Sequence, residues 1–259
     1  EASALNILRS SKPAMVWIES PTNPLLKVID IEAVCSVARE FAIPVVVDNT
    51  FATALVQRPL ELGATLSLTS TTKYINGHSD ALGGAVSTND TDWHQKMVFS
   101  QKALGLQPSP FDSWLITRGI KTLPLRLKQQ MANAAALADQ LALHPKVAWV
   151  RYPHRNDHPQ HALAQRQMKG GGAIVTVSFQ ASQEETYRLC KQLNWFTMAE
   201  SLGGIESLIC HPATMTHAAV SAEVKAKLGI DDGLVRFSVG CEDLVDLQAD
   251  LAQALELLA

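Results

Sequence analysis

Pro44-Val45-Val46-Val47-Asp48-Asn49-Thr50-Phe51 decides how this chain must be folded. Three consecutive valines leave no polar face, the pattern of a strand covered on both sides in a parallel sheet. Asp48 ends the run and so stands at the strand's carboxyl end, the edge where open α/β sheets bind ligands. A lone Asp in such a place more often caps the following turn. Its meaning therefore depends on the next strand.

That strand runs through Leu66 and Leu68 into Thr69-Ser70-Thr71-Thr72-Lys73-Tyr74-Ile75-Asn76-Gly77-His78-Ser79-Asp80. Apolar alternation opens there into a polar, glycine-containing loop. Lys73 is thereby pinned to rigid backbone rather than set on a solvated helix face. Ser70 and Thr72 beside it carry hydroxyls able to donate to a phosphate. The combination suits a lysine bonded as an imine to pyridoxal phosphate. Asp48 can then pair with the protonated pyridine nitrogen and keep the ring an electron sink. Either residue alone reads as ordinary; an Asp at one strand end and Ser-x-Thr-Lys at the next does not.

Further out, the chain alternates strand and helix, which predicts a parallel sheet with crossovers. Ala14 to Ile18 is a strand, followed by a proline-punctuated loop through Asn23 and Pro24. Asp30 caps a helix that places Ile31, Val34, Ala38 and Phe41 on one face. Gly83 to Val86 is a further strand, and helices are expected near Trp93 to Leu104 and up to Gly119. A long helix from Pro124 to Leu143 bridges to a second unit. Strands follow at Ala173 to Phe179, Trp195 to Ala199 and Leu234 to Val239, with helices around Glu184 to Leu193 and Asp243 to Leu258.

Composition narrows the class. At 259 residues, with 47% hydrophobic and 18% charged residues, the chain has ample means to bury a core. A net charge of −3 carries no nucleic-acid footprint. The apolar runs are too short for a membrane span. Cys35, Cys190, Cys210 and Cys241 lack C-x-x-C spacing, which fits a reducing, cytoplasmic setting rather than a metal cluster or disulfide frame. His154, His158 and His161 cluster in a stretch rich in Pro, Asn, Arg and Asp, read as an exposed loop and not as a metal site. Gly170-Gly171-Gly172 lacks the lysine of a P-loop and reads as a turn.

Four stretches together resemble the Cys/Met-metabolism family of pyridoxal phosphate enzymes. They are Ser20-Pro21-Thr22-Asn23-Pro24, Val47 to Phe51, Ser70 to Asp80, and Glu200-Ser201-Leu202-Gly203-Gly204-Ile205-Glu206-Ser207-Leu208. The likeness runs from about Met15 to the C-terminus. It implies a fold-type-I, transaminase-like α/β architecture, with a mostly parallel sheet in the cofactor domain and a smaller α/β C-terminal domain. Residues 1–131 would be the C-terminal part of the cofactor domain and 132–259 the C-terminal domain, the boundary falling in the long helix near Met131. It also implies a homotetramer of two tight dimers acting on small amino-acid substrates, by replacement or elimination of a γ-substituent.

The resemblance assigns further residues. Arg236, within Leu234-Val235-Arg236-Phe237-Ser238, interrupts an apolar strand. By itself it reads as a surface arginine on a half-exposed sheet. Matched to the family motif, it is the clamp for the substrate's α-carboxylate. Ser201 is implied to hold that carboxylate or the lysine, Asn23 to lie near the cofactor's phenolic oxygen and the carboxylate, and Glu200 to lie at the distal end of the substrate pocket. His217 recurs in the family near the site, with no chemical step assigned. Family members also carry a substantial N-terminal segment with a phosphate-binding loop, a ring-stacking tyrosine and a tyrosine–arginine pair reaching the neighbouring subunit. None of these is found before Met15. A non-catalytic scaffold is thus the second expectation beside an enzyme.

Overall fold

The computed structural model describes residues 2–258. After helix α1 (Ala2–Ser11), strand β1 (Val16–Glu19) leads through the Pro21–Pro24 loop to helix α2 (Ile31–Glu40). Asp30 caps α2 by accepting from Ala33 N at 3.0 Å, and Ile31, Val34, Cys35, Val37 and Ala38 form its buried face. Next come β2 (Val45–Asp48), the single-turn helix α3 (Thr53–Val56), β3 (Leu66–Ser70) and β4 (Gly84–Ser87).

The first sheet has the order β1-β2-β3-β4, the first three strands parallel and β4 antiparallel to β3. Val45, Val46 and Val47 are 2%, 3% and 0% exposed, so the unbroken valine run is sealed on both faces. Glu19 pairs with Asp48 and Asp48 with Leu68, which brings the carboxyl ends of three strands to one edge. Lys73 follows on the turn Thr71–Ile75 that continues β3.

Helices α4 (Thr91–Leu104) and α5 (Pro110–Gly119) are followed by α6 (Leu123–Ala142), whose two ends serve different cores. Leu123 and Leu127 pack with Phe51, Tyr74 and Leu202, while Ala134, Leu137, Ala138 and Leu141 pack against the second sheet. That sheet is built from β5 (Val147–Arg151), β6 (Ile174–Phe179), β7 (Thr197–Met198), β8 (Leu208–Cys210) and β9 (Leu234–Ser238), in the order β5-β6-β9-β8-β7. All its neighbours are antiparallel except β7 and β8. Helices α7 (His161–Gln167), α8 (Gln183–Gln192), α9 (Ala222–Leu228) and α10 (Leu244–Leu255) complete the fold.

Three departures from the expected elements have simple causes. Strand β5 alternates too weakly to stand out, being half-exposed at Val147, Trp149 and Arg151. Strand β8 spans three residues, too short for periodicity. The histidine segment is not an exposed loop: His161 opens α7 and His158 is only 4% exposed. His158 Nδ1 accepts from Gln160 N at 3.1 Å and its Nε2 lies 3.1 Å from Leu26 O, so both nitrogens are spent on backbone. Among the described residues no group of three or more His, Cys, Asp or Glu is placed to hold a metal. No described helix is long and apolar enough to cross a membrane.

Candidate active site

The site forms where the carboxyl edge of the first sheet meets the turn between β7 and β8. Asp48, at the end of β2, is held rigidly: its Oδ1 accepts from Thr50 N at 3.0 Å and from Thr50 Oγ1 at 2.6 Å. Thr50 Oγ1 in turn accepts from Ser70 N at 2.9 Å. One hydroxyl therefore locks Asp48 to the strand that leads to Lys73. Sequence reasoning passed over Thr50, although the Asp-x-Thr spacing of an Asx-type turn was there to be read. The Asp48 Oδ2 and the Ser70 hydroxyl make no hydrogen bond among the described residues.

Lys73 is half-buried, and its Nζ donates to Ser201 Oγ at 3.0 Å. Burial, and next the nearby Arg236 guanidinium, hold its amine below the ordinary lysine range. Both act the same way, because each disfavours the charged ammonium. Thr72 Oγ1 is tied to Gly83, accepting from its N–H at 3.0 Å and lying 3.3 Å from its carbonyl. Of the two hydroxyls flanking the lysine, Ser70 is thus the one left uncommitted.

Arg236 is 1% exposed, at the centre of β9, so it is no surface residue. Nη1 donates to Asn23 Oδ1 at 3.0 Å, and Nη2 donates to the carbonyls of Glu200 and Ser201 at 2.8 and 3.0 Å. Its Nε–H is buried without a partner. An unsatisfied charged donor inside a protein is costly, and an anionic group is its natural complement. Asn23, Ser201 and Arg236, far apart in sequence, are thereby brought together. Glu200 joins them through its carbonyl while its side chain faces solvent. A cavity of ≈ 720 Å³ lined by Thr72, Ser79, Asp80, Ser201 and Glu206 opens beside them.

Two glycines make these approaches possible. Gly203 has φ +78°, and a Cβ there would lie 2.8 Å from Tyr74 N, so only glycine lets the Ser201 loop reach the Lys73 turn. Gly77, at φ +73°, would place a Cβ 2.1 Å from Arg126 Nη1. His217 contacts Thr216 Oγ1 through Nδ1 at 2.9 Å, and burial lowers its pKa, with Arg236 the next cause.

Glu19 is a further group that the sequence did not announce. It stands opposite Asp48 in the register, and its carboxyl is held above the usual carboxylate range. Burial is the main cause, with the Asp48 charge adding to it and the Asn23 backbone opposing it.

An amine shifted towards its neutral, nucleophilic form on the turn after β3, a fixed carboxylate with one oxygen free and an uncommitted hydroxyl form a set suited to a carbonyl-bearing, phosphorylated pyridine. The buried guanidinium supplies what an amino acid's carboxylate requires. This is the equipment of pyridoxal phosphate enzymes of the α/β class. The sequence matches the family model of Cys/Met metabolism PLP-dependent enzymes over residues 1–256, and the chain belongs to that family. It is 48% identical over 259 residues to a cystathionine gamma-lyase of Dictyostelium discoideum, which covers 99% of this chain and 67% of that protein. It is 46% identical over 255 residues to a cystathionine gamma-synthase of Mycobacterium bovis, covering 98% and 65%. The fold matches a crystal structure of cystathionine gamma synthase from Xanthomonas oryzae pv. oryzae, in complex with aminoacrylate and cysteine. That match has a TM-score of 0.96 and 46% identity over 99% of this chain and 66% of the other. The chain thus spans about two thirds of the length of the relatives it matches.

Proposed function

We propose that the chain is the larger part of a cystathionine γ-synthase, which joins L-cysteine to an O-acylhomoserine by γ-replacement. The observation that carries its pyridoxal phosphate chemistry is the Lys73 amine, held at 3.0 Å from Ser201 Oγ beside the buried Arg236 guanidinium; the relative and the solved structure named as cystathionine gamma-synthases, each 46% identical, favour γ-replacement. Lys73 would hold pyridoxal phosphate covalently through Nζ, with Asp48 at the ring nitrogen and Ser70 at the phosphate. When bound, the cofactor supplies an electron-withdrawing ring that makes the substrate's α-proton acidic.

The residues divide the remaining work. Arg236 and Asn23 anchor the α-carboxylate, so the Cα–H bond is presented to Lys73. Lys73 Nζ, when free, would accept the α-proton and could pass a proton to a neighbouring carbon. Asp48, its Oδ1 fixed by Thr50, would present its carboxylate to the ring nitrogen, a preorganised electrostatic contribution. Ser201 keeps Nζ aimed at the reacting carbons. Overall, the bond from the γ-carbon to the acyl oxygen would break with its electron pair leaving on the carboxylate, the cysteine sulfur would bond to that carbon, and the thiol proton would be given up with the released acid.

A second reading, γ-elimination as in a cystathionine γ-lyase, is favoured by the Dictyostelium relative's identity of 48%. It uses the same Lys73, Asp48 and Arg236 but ends in water-driven breakdown to a keto acid. We also take the two units to divide within α6 near Met131, and the working assembly to be a homotetramer. Assaying the full-length protein with cysteine plus O-succinylhomoserine, and separately with cystathionine alone, decides between the activities. Cystathionine formed from the first mixture supports the synthase; keto acid and cysteine released from cystathionine alone support the lyase. Absence of both, in a protein whose colour borohydride does not discharge, would leave a non-catalytic scaffold.

A further inference from the structure

Arg126 lies on the first turns of α6, is 7% exposed, and has no carboxylate partner among the described residues. A buried guanidinium without an ion pair is costly unless its donors are satisfied in some other way. Here they are satisfied by backbone. Nη1 donates to Tyr74 O at 3.0 Å, and Nη2 donates to Gly119 O at 3.0 Å and Ile75 O at 3.3 Å. Nε donates to Thr122 Oγ1 at 3.0 Å.

Two of those acceptors directly follow Lys73. They are carbonyls at the end of a helical turn, where the partial charge is negative and a cation is favoured. The same turn is held on its other side by Gly83, whose carbonyl accepts from Thr71 N at 2.9 Å and Thr72 N at 3.3 Å. Lys73 sits between the two anchors with φ −89° and ψ −126°, a kink between residues that are otherwise helical. The side chain leaves the turn at that kink and meets Ser201. Tight seating at Gly77 shows that the guanidinium fills its place, since even a methyl group there would collide with it.

We propose that Arg126 is the positioning residue for Lys73: by bracing the carbonyls of Tyr74 and Ile75 against Gly119, it sets where the Lys73 amine stands relative to Ser201 and Arg236. The proposal rests on Lys73 being the cofactor lysine. A planar fork is required, because one side chain must reach Thr122, Gly119, Tyr74 and Ile75 in different directions. A lysine keeps the charge but is a single point of donors and cannot span them.

Arg126→Lys in the full-length holoenzyme tests this. A displaced amine predicts a fall in kcat of up to about 10²-fold with KM little changed, because the reacting atoms are misplaced while Arg236 still binds the carboxylate. The pH at which the apo-protein captures pyridoxal phosphate on Lys73 should rise, as the amine moves out of its desolvated position. Thr122→Val removes the Nε acceptor, along with the hydroxyl's own bond to Gly119 O at 3.1 Å, and should change kcat in the same direction by less, which keeps the test alive if the lysine variant folds poorly. Methylguanidine added to Arg126→Gly should restore part of kcat. Unchanged kcat and capture pH in Arg126→Lys, with only a lower Tm, would overturn the proposal. Lys73→Ala separates the two levels: turnover retained there sinks the cofactor lysine itself, whereas an inactive Lys73→Ala beside a normal Arg126→Lys sinks the brace alone.

Discussion

Lys73, Asp48 and Arg236 each reach the site with a different degree of constraint, and their substitutions should differ accordingly. Lys73 Nζ touches the protein through one hydrogen bond, to Ser201. Lys73→Ala should therefore abolish turnover and borohydride labelling while leaving Tm nearly unchanged; multiple turnovers in that variant would remove Lys73 from the site. Asp48 is fixed by both donors of Thr50, so Asp48→Asn can keep the shape while losing the charge. Turnover should fall by about 10²–10³-fold, with pyridoxal phosphate affinity reduced much less. A near-native rate would count against the electrostatic role. Arg236 already donates to three protein acceptors. The three N–H groups of a lysine would be exhausted on those same acceptors, with none left for substrate. Arg236→Lys should lower kcat/KM sharply with cofactor binding intact, whereas a packing arginine would show a lower Tm and ordinary kinetics.

Among the elements, α6 carries the heaviest structural duty. Its first half bears Arg126 beneath the Lys73 turn, and its second half buries Leu137 and Leu141 at 1% and 0% exposure. Asn133 between them donates to the carbonyls of Gly240 and Glu242 at 3.2 and 2.9 Å, tying the helix to the exit of β9. Leu137→Ala should cost about 2–5 kcal/mol, measured by denaturant titration, because it opens a cavity against the second sheet. Cofactor capture by Lys73 should be unaffected in the fraction that is folded. A loss well below that range would mean the second sheet can close over the gap.

Across the whole molecule, the loop after β1 is the seam. Asn23 meets Arg236, the Pro24 carbonyl accepts from Thr176 Oγ1 at 2.6 Å, and Leu26 O meets His158. Gln167 reinforces it, accepting from Ile31 N at 3.1 Å and donating to Ile29 O at 2.9 Å. His158 is the weak point at low pH. Accepting from Gln160 N requires its Nδ1 to be unprotonated, and burial first, with Arg151 contributing, pushes its pKa down. The folded protein therefore binds fewer protons than the unfolded chain below about pH 6.5, and stability falls as pH drops from there towards the lower folded value. Tm should decline between about pH 7 and about pH 5.5, and less steeply in His158→Gln, which keeps a donor for Leu26 but cannot titrate. Equal slopes in the two proteins would acquit His158.

How far the chain could be read in advance follows from the range of the forces involved. The valine run, the Asp30 cap and the amphipathic face of α2 act between neighbours along the backbone, so strand, cap and helix were legible residue by residue. So was the Asp48–Lys73 pair, since two adjacent parallel strands carry their ends to one edge. Arg236 was ambiguous: a charged residue in an apolar strand looks the same whether it faces water or is 1% exposed. Only the crossing of β9 beneath Asn23 and the Ser201 loop decides which, because desolvation depends on atoms that are remote in sequence. Arg126 and His158 were misread or passed over for the same reason. Each makes hydrogen bonds to backbone carbonyls of remote segments, Tyr74 and Ile75 for Arg126 and Leu26 for His158, and backbone acceptors leave no mark in a list of side chains. Local pattern names the elements and the two residues at and just beyond the strand ends; the long-range packing alone settles which charges are buried.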